Sequence, residues 1–387
     1  MGNALPPWSS GPDPRERSAP QHSQIWASPG RAGGQGSDAV WAWPPPVARR
    51  PRTVEPPPGV PYHRMARTET HRWWKPPLTL GLAVLLVLGM TVFTLVVVEL
   101  VKAIQRIPED VELFGDPVAD LAVNLLALAL MIPAVMVAVR VVQKRRIGSL
   151  ASVEGRLRWP WLLRCAVVAT VSVAVSFGIL SVLYLLSEPG EPLFGEYVGA
   201  RRFALAVVVV VLLVPFQAAA EEYALRGFLM QMVGAYGSTS YGDRRPGPVA
   251  VVNRVLASPV PAILVSGLVF TVMHDYSGWA TAEVALFGLA MAWLVWYTGG
   301  LEAAITLHVA HNVVAFVLSA YEGLPDPSGS IGSWQGVVAT ALQLGLFCLV
   351  VVWMARRARV RRTTPDPHAA LPPPPGGETA GPGHDHG

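Results

Sequence analysis

Apolar stretches close to 20 residues long recur down this chain, and that recurrence limits its fold more than any other feature. About 20 apolar residues in a helix cross the hydrocarbon of a bilayer. Spans are predicted over Leu78–Val101, Val118–Val142, Trp161–Leu186, Phe203–Met232, Val260–Met273, Glu283–Tyr297, Leu301–Ser319 and Val337–Met354. The fold class expected is therefore all-α, a polytopic transmembrane helix bundle of about eight spans with disordered termini. Composition agrees, since only 14% of the 387 residues are charged where a soluble domain carries about 25%.

The ends read differently. Residues 1–70 are rich in Pro, Gly, Ser and Arg and lack apolar periodicity, which predicts a disordered tail. His71-Arg-Trp-Trp-Lys75 marks the water interface, and the transmembrane domain is expected over 71–358. Residues 359–387, with His384 and His386, read as a second disordered tail. The connector 143–160 is basic and aromatic and is expected along the cytoplasmic surface. Lys and Arg gather at the N-terminus, at 143–160, at 234–258 and at the C-terminus, while the loops at 109–116, 188–196 and 320–326 are acidic. By the positive-inside rule both termini are cytoplasmic, with Arg201 and Arg202 an outnumbered exception.

The formal charge of +4 follows from these flanking residues, so it reports topology and no nucleic-acid partner. The two cysteines, Cys165 and Cys348, sit in apolar runs, which argues against a disulfide framework or a Cys-ligated zinc site. The first span is expected to serve as the insertion signal.

Within the fourth span the segment Phe216-Gln-Ala-Ala-Ala-Glu-Glu-Tyr-Ala-Leu-Arg226 carries two carboxylates and a guanidinium. An ionised group at bilayer depth costs roughly 2.5–3.5 kcal/mol on insertion scales, so such groups face partners or a wet cavity. Glu222 and Arg226 are four apart and share a helix face. Glu221, rotated about 100° away, keeps its lone pairs for something else, as a general base needs.

Two further polar sets interrupt apolar helices: Phe270-Thr-Val-Met-His274 and His308-Val-Ala-His-Asn312. Taken singly, His274 reads as an interfacial histidine, and His308 with Asn312 as hydrogen-bonding glue between helices. Taken together, a Glu–His pair can hold and deprotonate water while His and Asn donors stabilise an oxyanion. Glu221, His274 and His308 could also hold a divalent metal such as zinc with an open position.

In order and spacing these motifs resemble those of the CPBP intramembrane proteases, the family of the CAAX-processing proteases and the Abi bacteriocin-immunity homologues. Glu221-Glu222-x-x-x-Arg226, Phe270-x-x-x-His274 and His308-x-x-x-Asn312 match on successive helices, and the helix from Phe287-Gly288 to Gly299 between the last two also fits. The resemblance covers roughly residues 160–320. It implies a membrane endopeptidase in which Glu221 and His274 activate water, His308 and Asn312 form an oxyanion hole, and Glu222 and Arg226 support them. It also implies a bacterial plasma-membrane protein acting on a peptide or membrane-protein substrate.

Two other readings remain open from the residues: a non-catalytic scaffold or immunity factor, and a proton-coupled transporter. The latter lacks the paired broken helices of transporters. One expectation conflicts with the site. At about 1.5 Å per residue, Glu221 and His308 come out nearer the cytoplasmic side while His274 falls toward the outer end of its span.

Overall fold

The computed structural model describes residues 53–108, 111, 113–238, 247–324 and 331–366. All named elements among them are helical. In chain order these are α1 (Lys75–Gln105), α2 (Pro117–Gln143), α3 (Trp159–Ser187), α4 (Ala200–Gly234), α5 (Pro248–Ala257), α6 (Pro259–Val272), α7 (Gly278–Thr298), α8 (Glu302–Tyr321) and α9 (Trp334–Arg357). Seven are long and apolar enough to cross a membrane, and α5 with α6 makes up to eight. Helices are the answer open to such segments because lipid offers their backbone no hydrogen-bond partner.

The fifth predicted span departs from a straight crossing. α5 and α6 meet at Ser258 with a bend of 59°. Pro259 supplies no N–H and forces Ser258 into extended backbone, with ψ at 162°. α6 has 14 residues, about 21 Å of helix, against a hydrocarbon core of about 30 Å. His274, two residues past its C-terminal end, is therefore reached short of a full crossing. The depth conflict read from the sequence came from treating that segment as a whole span.

α4 runs 35 residues, and its stretch Glu222–Leu229 is wound as a π-helix. Such wide turns interrupt α-helices mostly at functional sites. α8 packs on α3 and α4, α7 packs on α6 and α9, and α2 packs on α4. α1 packs against the second half of α2 and leaves most of its apolar surface outward, as a lipid-facing helix does.

The base of the bundle corrects the tail boundaries. Residues 53–70, expected to be disordered, pack there: Tyr62, His63, Met65 and Ala66 are buried. Val54 N–H donates to the Lys144 carbonyl at 2.8 Å, and Thr364 N–H donates to the Val60 carbonyl at 2.9 Å. Residues 359–366, also expected to be disordered, thus pair with the N-terminal segment. The rest of both predicted tails lies outside the described residues.

The connector 143–160 is partly built into that base: Arg145, Ser149, Leu150, Ser152 and Arg158 are buried, while Lys144, Arg146, Arg156 and Trp159 are exposed. Arg158 donates to both carboxylate oxygens of Glu302, Nε at 2.8 Å and Nη2 at 2.6 Å. Beside that pair Gly299 ends α7 with φ at 70°, the left-handed conformation glycine tolerates. A Cβ on Gly300 would collide with both the Arg158 guanidinium and the Glu302 carboxylate. The clamp fixes the first turn of α8, two turns below His308.

Candidate active site

Glu222 is the fixed point of the cluster. Its side chain and that of Arg226 are both 0% exposed, and Arg226 Nη1 donates to Glu222 Oε1 at 3.0 Å. The same oxygen receives Nδ1 of His308 at 2.8 Å. A carboxylate can only accept, so His308 carries its proton on Nδ1, and its Nε2 turns toward Glu221 Oε2, 3.7 Å away. That gap is too long for a direct hydrogen bond, yet short enough for both atoms to touch a common third one.

Glu221 is held from its other side. Gln217, one helical turn earlier on α4, donates from Nε2 to Glu221 Oε1. Asn312 Nδ2 donates to Gln217 Oε1 at 3.2 Å. The amide expected to stabilise an oxyanion thus donates to Gln217, which in turn donates to Glu221. The glutamate side chain remains 12% exposed, the outward-facing member of the pair of carboxylates.

His274 joins by a different route. Its Nδ1 donates to the Phe270 carbonyl at 2.7 Å, which leaves Nε2 with a lone pair in the neutral ring. Among the described residues no ion pair ties it to Glu221. The Phe270 ring lies between the parts: His274 is 4.5 Å from it, His308 5.8 Å and the Arg226 guanidinium carbon 4.2 Å. Such a cation over a ring face is attracted by its quadrupole. Of the sequence-predicted residues, Glu221, Glu222, Arg226, His308 and Asn312 form one connected set, and His274 faces that set across Phe270.

Close packing of α6 on α7 makes this possible. A Cβ on Gly288 would sit 2.9 Å from the Phe270 ring, and one on Gly267 2.6 Å from Leu289. The bare backbone at Gly288 also lets its carbonyl accept Arg226 Nη2 at 3.3 Å. His311 is turned away, its ring tilted against Phe287 at 5.3 Å and bonded to Gln343.

Sequence reasoning missed Gln217, Phe270 as a hub, and Tyr276. An amide four residues before Glu221 in an apolar helix was a legible signal for the first. Tyr276 lies in the turn after His274, where burial, then the charges of Glu221 and Glu283, push its phenol above the ordinary value. It stays protonated and able to donate at neutral pH.

A three-ligand zinc site is not assembled among the described residues. No three His, Cys, Asp or Glu side chains among the described residues converge on one point in ligating geometry. His308 Nδ1 is bonded to Glu222 and His274 Nδ1 to a carbonyl, so each ring keeps its Nε2.

Membrane-length helices closing around a carboxylate, guanidinium and imidazole cluster define a polytopic membrane protein with a buried polar cluster inside the bundle. More particularly, residues 202–314, which hold all three motifs, match the family described as type II CAAX prenyl endopeptidase Rce1-like. The likeness to CPBP intramembrane proteases read from those motifs is shown over that stretch. The chain is also 23% identical over 277 residues to the uncharacterized protein YyaK of Bacillus subtilis (strain 168), an alignment covering 65% of this chain and 81% of that protein. No solved structure matches it.

Proposed function

We propose that this chain is an intramembrane endopeptidase that hydrolyses a peptide bond of a peptide or membrane-protein substrate in or beside the bilayer, with Glu221 as the base. The carrying observation is that Glu222 and Arg226 fix the His308 tautomer so that Nε2 and the Glu221 carboxylate face one point from 3.7 Å apart.

A water at that point gives a proton to Glu221 as its oxygen attacks the scissile carbonyl carbon. The negative charge moves to the carbonyl oxygen, which the Tyr276 phenol is suited to meet with its O–H. Glu221 returns the proton to the leaving amine, so the carboxylate is regenerated. Gln217 and Asn312 hold Glu221 in orientation, and His274 Nε2 offers the water a second acceptor. No step uses a metal.

The distribution of Lys and Arg supports both termini in the cytoplasm. The description of the matched family supports a CAAX-type specificity only in general terms.

The test compares membrane-associated peptides from cells carrying the intact chain or Glu221→Gln. Products that vanish in the variant, at equal protein level, support the proposal. Identical product sets would favour the scaffold reading, in which the same bonds merely knit α4 to α8.

A further inference from the structure

The N-terminal segment does more than close the base of the bundle. Residues 54–71 line a cavity of about 420 Å³ bounded by Pro57, Val60, Arg64, Arg67, Thr68, Glu69 and His71. That volume is within the range of roughly 300–1,000 Å³ found for small-molecule sites. Its cations are held in place: Arg64 Nη1 and Nη2 donate to the Gly234 and Gly237 carbonyls at 3.1 Å, and Arg67 Nη1 to the Ala235 carbonyl at 2.9 Å. These carbonyls end α4, so both guanidinia are anchored by the negative pole of a long helix. The opposite wall is steadied by Tyr236, whose hydroxyl donates to the Trp73 carbonyl at 3.0 Å and whose ring meets His71 edge-on.

Cations outnumber acids among the described residues of this lining. Burial, then Arg67, Arg64, Lys75 and Arg72, push the His71 imidazole below its ordinary value. Glu69 is the one carboxylate on the lining, against Arg64 and Arg67 with Arg72 and Lys75 beside them. The cavity also stands at the membrane boundary, since α1 begins at Lys75 and the preceding Trp73 and Trp74 are 75% and 44% exposed. Amphipathic rings in that position sit at headgroup depth. The N-terminus of α1 adds its own positive pole.

We propose that this cavity binds a phosphate-bearing anion at the membrane surface, with Arg67 and His71 of its lining as donors and the charges of Arg72 and Lys75 beside it adding attraction. The headgroup of an anionic phospholipid and free phosphate share that chemistry. This site is independent of the peptidase reading, since the residues named for that reading lie elsewhere in the bundle.

The test uses the full chain in nanodiscs of zwitterionic lipid with or without phosphatidylglycerol, read by native mass spectrometry for retained lipid, and in detergent titrated with inorganic phosphate. Preferential retention of the anionic lipid assigns the headgroup as ligand, and saturable phosphate binding without lipid preference assigns the free ion. Either supports the site. Arg72→Gln with Lys75→Gln leaves the α4 carbonyl contacts untouched and should weaken binding on the order of tenfold. Arg67→Gln with Lys75→Gln should do at least as much. Arg201→Gln with Arg202→Gln, at the start of α4, removes equal charge and should change nothing. Binding of neither probe, or equal losses in the control and in both cavity variants, overturns the proposal.

Discussion

His308 Nδ1 and Arg226 Nη1 meet on one oxygen of Glu222, at 2.8 Å and 3.0 Å, so that an imidazole on α8 and a guanidinium on α4 share a single buried acceptor. This joins two helices 86 residues apart in sequence and places the ion pair where loss of one partner strands the other. Arg226→Met should cost about 3–5 kcal/mol through the uncompensated Glu222 carboxylate. Thermal unfolding in detergent measures it. An unchanged midpoint would mean that the pair is not buried as described.

Glu221→Gln keeps the shape and the contact with Gln217 but removes the base. The expected outcome is a loss of hydrolysis of about 10²–10⁴-fold with an unfolding midpoint close to the intact chain. Cleavage of a membrane-embedded reporter peptide measures the first quantity and circular dichroism the second.

Gln217→Leu cuts the link between Asn312 and Glu221. Activity should fall by about 10-fold or more, within the cost of a mispositioned group, with the fall in kcat exceeding any rise in KM. Gln217→Glu should not rescue it, because a carboxylate cannot donate to Glu221. A matched fall in Asn312→Ala, with no further loss in the double variant, would show the two acting as one unit.

The Arg158–Glu302 clamp gives a separate stability prediction. Glu302→Gln should destabilise by about 3–5 kcal/mol, since Arg158 stays buried beneath Gly300. Replacing both by apolar residues of similar volume should recover most of that loss. A double-mutant cycle on the unfolding midpoint checks it.

His63 makes the base sensitive to acid. It is buried with Nε2 donating to the Ala257 carbonyl and Nδ1 without a hydrogen-bond partner. Burial lowers its pKa from 6.5 to about 4. The unfolded chain therefore binds the proton more readily, and the stabilisation present above pH 6.5 drains away as pH falls toward 4, reaching on the order of 3 kcal/mol. Hydrogen exchange across residues 54–68 should quicken over that range in the intact chain and stay flat in His63→Gln.

The long helices were legible because burial in lipid leaves a direct mark on composition, and Glu221, Glu222, Arg226, His308 and Asn312 stood out for the same reason: each costs free energy in hydrocarbon unless partnered. The pairing of Glu222 with Arg226 followed from i,i+4 geometry. Gln217 obeyed the same rule toward Glu221 and could have been read. The break at Ser258 had its signal in Pro259 and Pro261, but the apolar run beyond it read more strongly as a span.

Sequence by itself determined that the chain is a helical membrane bundle and which polar groups need partners inside it, because helix length, apolarity and spacing are local properties. Tertiary structure alone decided that His274 faces the cluster across Phe270 and does not bond into it, and that Arg158 locks the start of α8. It also decided that residues 53–70 pack at all. Tyr62, Arg64 and Arg67 owe their places to the Leu150 carbonyl and the carbonyls ending α4, between about 90 and 170 positions away. Contacts of that range leave no periodic trace in a Pro-rich stretch.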